Sequence, residues 1–227
     1  MDNSVTLPVA PAEAEVDLPA ARPWLLLLLI ALAALLLGGL LGYWLGRSGT
    51  PAAGSVDVGF AQDMSVHHEQ AVQMAALVYD RSDDPAIRSL AFDILTTQQG
   101  QIGIMSGWLD TWGRSWTSAG PRMDWMGMPV EGLMPGMATA EQMAALRAAD
   151  GVAADILFLQ LMIPHHRGGV DMAHYAFDHA RQEPVRLMAR GMVEAQSLEI
   201  DYMNELLAAK GQAPLPNTPA ATDDHDH

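Results

Sequence analysis

His67-His68 stand at the middle of a stretch, Phe60 to Ala75, that returns as Phe158 to Ala173 around a second adjacent pair, His165-His166. The offset of about 98 residues also pairs Asp57 with Asp155, Met64 with Met162 and Met74 with Met172. Further downstream it pairs Gln98 with Gln196, Gln101 with Glu199, Ile102 with Ile200 and Met105 with Met203, so the repeat is longer than the histidine box. Imidazole is a ligand for Cu, Zn, Fe and Ni, whereas a thioether strongly favours Cu(I). A set of four histidines with Met64, Met74, Met162 and Met172 therefore points to metal binding and tilts the choice toward copper.

Helical geometry decides which of these groups can meet. Each residue turns an α-helix by ~100°, so His67 and His68 point in different directions. His67 shares the inward stripe with Met64 and Met74, and His68 lies at its flank, with the Asp57 carboxylate expected nearby. Asp155, Met162, His165, His166 and Met172 repeat the arrangement. Two equal helical hairpins can pack as a four-helix bundle with the boxes face to face, which would gather the imidazoles, the thioethers and two carboxylates. Gln98, Gln196 and Glu199 on the partner helices are expected to orient the rings.

The copies are not identical. Pro164 stands where the first box has Val66; inside a helix it removes a backbone bond and frees a carbonyl near Gln160. Gly168-Gly169 would let another helix approach closely. A structural reading also accounts for part of the pattern, because methionine at helical spacing fills cores and a buried histidine can simply be hydrogen-bonded.

Composition narrows the functional classes. In 227 residues there is no cysteine, which excludes disulfides, thiolate metal clusters and cysteine nucleophiles; 15 methionines and 8 histidines remain as soft and borderline ligands. The formal charge of −15 leaves no basic stripe for phosphates, so a cation is the natural partner and nucleic acid is not. No phosphate loop, nucleotide motif or nucleophile–base pairing supports a hydrolase or transferase.

The elements follow in order. Residues 1–22 read as a disordered tail. Residues 23–46 carry no charge and are long enough to cross a ~30 Å hydrocarbon core, with Trp24 and Tyr43-Trp44 at the ends where aromatic belts are found. An uncleaved anchor is expected, since a signal-peptide core is usually only ~7–15 residues. A linker over 47–55 leads to a bundle domain over 56–211. Its helices are expected from about Ser55 to Asp80, Pro85 to Trp112, Ala153 to Ala180 and Pro184 to Lys210, with Asp84-Pro85 as a capped start. Residues 113–138 read as a loop containing Met123, Met126, Met128, Met134 and Met137, followed by a capping box at Thr139 to Gln142 that opens a short helix. Residues 212–227 form an acidic tail ending in His225 and His227.

These residues resemble the bacterial family called Domain of Unknown Function 305. Its duplicated Asp-x-x-Phe-x-x-x-Met-x-x-His-His box stands here as Asp57, Phe60, Met64, His67-His68, Ala71 and Met74-Ala75, and again as Asp155, Phe158, Met162, His165-His166, Gly169 and Met172-Ala173. Met134-Pro-Gly-Met137 and Gln196-x-x-Glu-Ile200 look like family features, and the likeness covers about residues 55–210. The resemblance implies an all-α, ferritin-like antiparallel four-helix bundle exported from the cytoplasm, with at least one periplasmic copper-binding member linked to copper resistance. The family often has Ile-Pro before the histidines, as at Ile163-Pro164, and Ser65-Val66 departs from that.

The combined expectation is a single-pass membrane protein whose extracytoplasmic bundle sequesters or passes on Cu(I), with a homo-oligomer or a delivery partner left open. The alternatives are a ferritin-like metal-dependent oxidase and an interaction module with core histidines. A di-iron bundle supplies a Glu on each of two helices and Glu-x-x-His on two more, a pattern that neither box offers.

Overall fold

The computed structural model describes residues 23–47 and 49–216, without the side chains of 44–47. The expected tail over 1–22 and the end from 217, with His225 and His227, lie outside the described residues. The chain forms two compact units, divided between Thr50 and Pro51. The first unit holds α1, Pro23–Arg47, of which Pro23–Tyr43 is long and apolar enough to cross a membrane. That length and composition fit an anchor or a signal sequence.

The second unit is all-helical among its described residues, apart from one isolated bridge between Arg122 and Val130. Its helices are α2 (Val56–Tyr79), α3 (Pro85–Thr111), α4 (Ala140–Ala148), α5 (Gly151–His179) and α6 (Glu183–Ala209). Each start has a local cause. The Ser55 hydroxyl caps α2, the Asp84 carboxylate accepts from the Ala86 amide with Pro85 in the first turn of α3, and Thr139 and Gln142 complete the capping box of α4. Gly151, in the left-handed region at φ 55°, opens α5. α5 runs through Pro164 as one helix.

α2 with α3 and α5 with α6 form two hairpins, and the bundle joins chiefly along α2 and α5. Those two helices run antiparallel. Met64, early in α2, shares an apolar cluster with Met172, late in α5, while Met74 and Met162 share the other cluster. The segment 113–138 is mostly irregular, as expected, with a single 3-10 turn at Asp124–Met126. It is tied down: Asp63 Oδ2 accepts from the Met123 amide (2.7 Å) and the Trp125 indole (2.8 Å), and Trp125 occupies the space a side chain at Gly59 would need.

Candidate metal centre

The antiparallel register brings the histidine boxes to the middle of the α2/α5 seam. His67 and His165 face each other with ring centroids 3.8 Å apart and planes inclined by 34°. His68 and His166, one residue on, turn instead toward the second helix of their own hairpin. His68 Nε2 lies 2.8 Å from Gln101 Oε1 on α3, and His166 Nε2 lies 2.6 Å from Glu199 Oε2 on α6. All four rings are buried.

Partners fix which nitrogen of each ring remains. The Pro135 carbonyl can only accept, so His67 donates to it from Nε2 (3.2 Å) and presents Nδ1. Likewise His68 donates to Gln101 and His166 to Glu199. The nitrogens left over, Nδ1 of His67, His68 and His166 and Nε2 of His165, are buried without a hydrogen-bond partner among the described residues. A buried polar atom without a partner costs about 1–3 kcal/mol, so four such nitrogens on neighbouring buried rings are an energetic anomaly.

Burial also keeps rings neutral, the form that binds metal. Desolvation pushes the His67 pKa down to about 4, against the raising effect of the Pro135 hydrogen bond. Desolvation and the neighbouring His67 push His68 down to about 3. His165 falls well below its usual value through desolvation and then the nearby His67, His166 and His68.

The box methionines lie in the two apolar clusters of the core. Met64, Met74, Met162 and Met172 are fully buried, and Met134 joins the cluster of Met64 and Met172. In the described residues, no three His, Asp or Glu side chains converge on one point with metal-site geometry. A metal held here would need donors besides these side chains, and ring nitrogens with methionine sulfur would be a set suited to a soft ion of low coordination number.

The expected place of Asp57 and Asp155 beside the rings requires correction. Ten residues of α-helix put each aspartate about 15 Å along the axis from its own inward histidine. Asp57 accepts from the amides of Arg181 and Gln182 (3.1 and 2.7 Å), supplying an anion at the start of α6. Asp155 Oδ2 bonds Lys210 Nζ (2.9 Å), which also holds Asp84 (2.7 Å). Both carboxylates close the bundle's ends.

Of the groups expected to orient the rings, Glu199 does so. Gln98 is buried with Oε1 unpartnered among the described residues, and Gln196 packs over Gly169. The partner of His68 is Gln101, which sequence reasoning passed over although the repeat offset already paired it with Glu199. The Pro135 carbonyl had no such signal, since any residue carries a carbonyl and only the folded loop aims this one.

Residues 57–207 match the family described as Domain of unknown function (DUF305). The chain belongs to the DUF305 family. A solved DUF305 protein from Streptomyces coelicolor is 49% identical, covers 73% of this chain and 100% of its own, and superposes with a TM-score of 0.69. CopM in its Cu(I)-bound form is 25% identical, covers 67% of this chain and 96% of its own, with a TM-score of 0.52; CopM has also been solved with Ag, with Cu(II) and in the apo form. Uncharacterized protein L153 of Acanthamoeba polyphaga mimivirus is 37% identical over 54 residues, so the match spans 24% of this chain and 36% of that protein. The expected family and the all-helical bundle are both borne out.

Proposed function

We propose that this protein binds copper as Cu(I) through the four histidines and the buried methionines, and sequesters it or passes it on. The observation that carries the reading is the set of four buried ring nitrogens without partners, on rings whose other nitrogens are mostly tied to acceptors. The copper- and silver-bound forms of CopM support it from outside this chain. His67 Nδ1, His68 Nδ1, His165 Nε2 and His166 Nδ1 are the nitrogen donors, with Met64, Met74, Met162, Met172 and Met134 supplying sulfur. Asp57 and Asp155 are left out of the donor set because they hold helix ends.

We assign binding rather than catalysis. The hydrogen bonds of the four rings include one carboxylate, Glu199, where a di-iron bundle uses four. We further propose that α1 remains as an anchor and holds the bundle outside the cytoplasm; the description of the Streptomyces coelicolor relative as a secreted protein supports the compartment. Recovery of the native N-terminus by mass spectrometry of the membrane-extracted protein checks the anchor.

The deciding experiment is a Cu(I) competition titration of the full chain in detergent, beside the variant His67/His68/His165/His166→Ala. Tight binding that is lost in the variant, with its helical content retained, is the expected result. Equal binding by both proteins would remove the histidines from the function.

A further inference from the structure

Positions 101 and 199 hold the same place in the two copies, and they carry different chemistry. Gln101 gives His68 a neutral acceptor at 2.8 Å, and Glu199 gives His166 a carboxylate at 2.6 Å. The His166 side chain is fully buried and that of Glu199 is three-quarters buried, so the charge sits close behind the ring and is only partly screened. The third ring partner, the Pro135 carbonyl, is neutral too.

A metal ion entering this seam brings a positive charge into a region of buried rings and apolar side chains, and an uncompensated buried charge is costly. Behind His166 a negative charge is already in place. A carboxylate bonded to the far nitrogen of an imidazole also makes the near nitrogen a stronger donor and fixes its direction. Behind His68 the amide fixes direction without charge.

We propose that Glu199 makes the two boxes unequal: a monovalent soft cation, Cu(I) or Ag(I), loads first at the His165-His166 box, where Glu199 is its counter-charge, and only then at His67-His68. Glu199 is a positioning and charge-balancing residue that acts through His166. This inference rests on the metal-binding reading above and adds an order and a cause to it. Pro164 and Gly168 shape the same box without carrying charge, and Arg167, which stands where the first copy has Glu69, spends its guanidinium on the Leu215 carbonyl, so Glu199 is the charge bonded directly to a ring.

The test uses the full chain in detergent, titrated with Ag(I) and followed by histidine ring nitrogen shifts in NMR, with thermal melts of each variant. In the wild type, substoichiometric Ag(I) shifts His165 and His166 before His67 and His68. Glu199→Gln weakens the tighter step about 10–100-fold, and Glu199→Asp recovers part of it. Gln101→Glu tightens the step at the first box, and the double exchange Glu199→Gln/Gln101→Glu reverses the order of loading. A purely structural role for Glu199 predicts a lower melt and no reversal. Unchanged order in the double exchange, with normal Ag(I) binding by the wild type, overturns the role of Glu199 and leaves the metal-binding reading standing. A wild type that binds no Ag(I) or Cu(I) overturns both.

Discussion

α2 and α5 descend from one repeat, yet they meet the connecting segment 113–138 in opposite ways. α2 grips it with side chains. Gln62 Nε2 donates to the Ser115 carbonyl (2.7 Å), Asp63 accepts from Met123 and Trp125, and Gln70 both donates to and accepts from the Ala138 backbone (2.8 and 2.7 Å). At the equivalent positions α5 carries Gln160, Leu161 and Gly168. There the helix yields instead of gripping: the Pro135 carbonyl lies where a Cβ of Gly168 would be, and Gly136, at φ 77°, rests over the Pro164 backbone. The close approach is what brings Pro135 to His67. Between the copies, the positions facing the shared seam are kept as His and Met, while two of the three loop-gripping positions have diverged, Asp63 to Leu161 and Gln70 to Gly168, leaving a clamp on one side and a clearance on the other.

The largest expected effect falls on what the copies share. In the metal-free protein the folded His67 and His68 resist protonation down to about 4 and about 3, whereas unfolded histidine titrates near 6.5. Between those values the unfolded chain binds more protons than the folded one, so stability is full above about 6.5 and is lost as the pH falls toward 4 and below. The loss is on the order of 3 kcal/mol for His67 alone, and urea titrations at pH 7.5, 5.5 and 4.5 measure it. If the midpoint stays constant across that range, the rings are not the buried neutral groups described here.

Next comes the clearance. Gly168→Ala places a methyl group against the Pro135 backbone, and we expect a loss of about 2–3 kcal/mol in urea titration together with a changed His67 ring environment. The clamp follows. Asp63→Ala leaves the Met123 amide and the Trp125 indole without their acceptor and Arg122 without its nearby carboxylate, a loss of about 2 kcal/mol that limited proteolysis should localise to 113–138. The smallest effect has the opposite sign. Gly100 on α3 has open space around it, so Gly100→Ala should stabilise the helix by about 0.5–1 kcal/mol. A destabilised Gly100→Ala beside an unaffected Gly168→Ala would reverse this account of where the chain is tightly packed.

Much of this was legible in the residues themselves. The helix starts at Asp84-Pro85 and Thr139 to Gln142 are local signals, written within four residues, and the structure shows both caps. The inward stripe of Met64, His67 and Met74 was legible for the same reason, because helical periodicity does not depend on the rest of the chain. The position of Asp57 is not legible from direction around the helix alone, because eleven residues return to nearly the same face three turns away. Gln101 differs in type from Glu199, so the repeat places the two together without marking Gln101 as a ring partner.

The duplication and the helical period, both properties of the linear chain, determined that this protein would be two similar hairpins with His and Met on their packed faces. Tertiary packing decided the rest: the antiparallel register of α2 against α5 set His67 opposite His165, packing within each hairpin set His68 on Gln101 and His166 on Glu199, and the folded loop and helix ends put the Pro135 carbonyl on an imidazole and Asp57 at the start of α6. Those pairings join residues from 33 to 125 positions apart, and no local rule can choose among the acceptors available at such separations. The choice is made when each hairpin closes and the two dock, and each buried polar group takes the partner that the packing brings within reach.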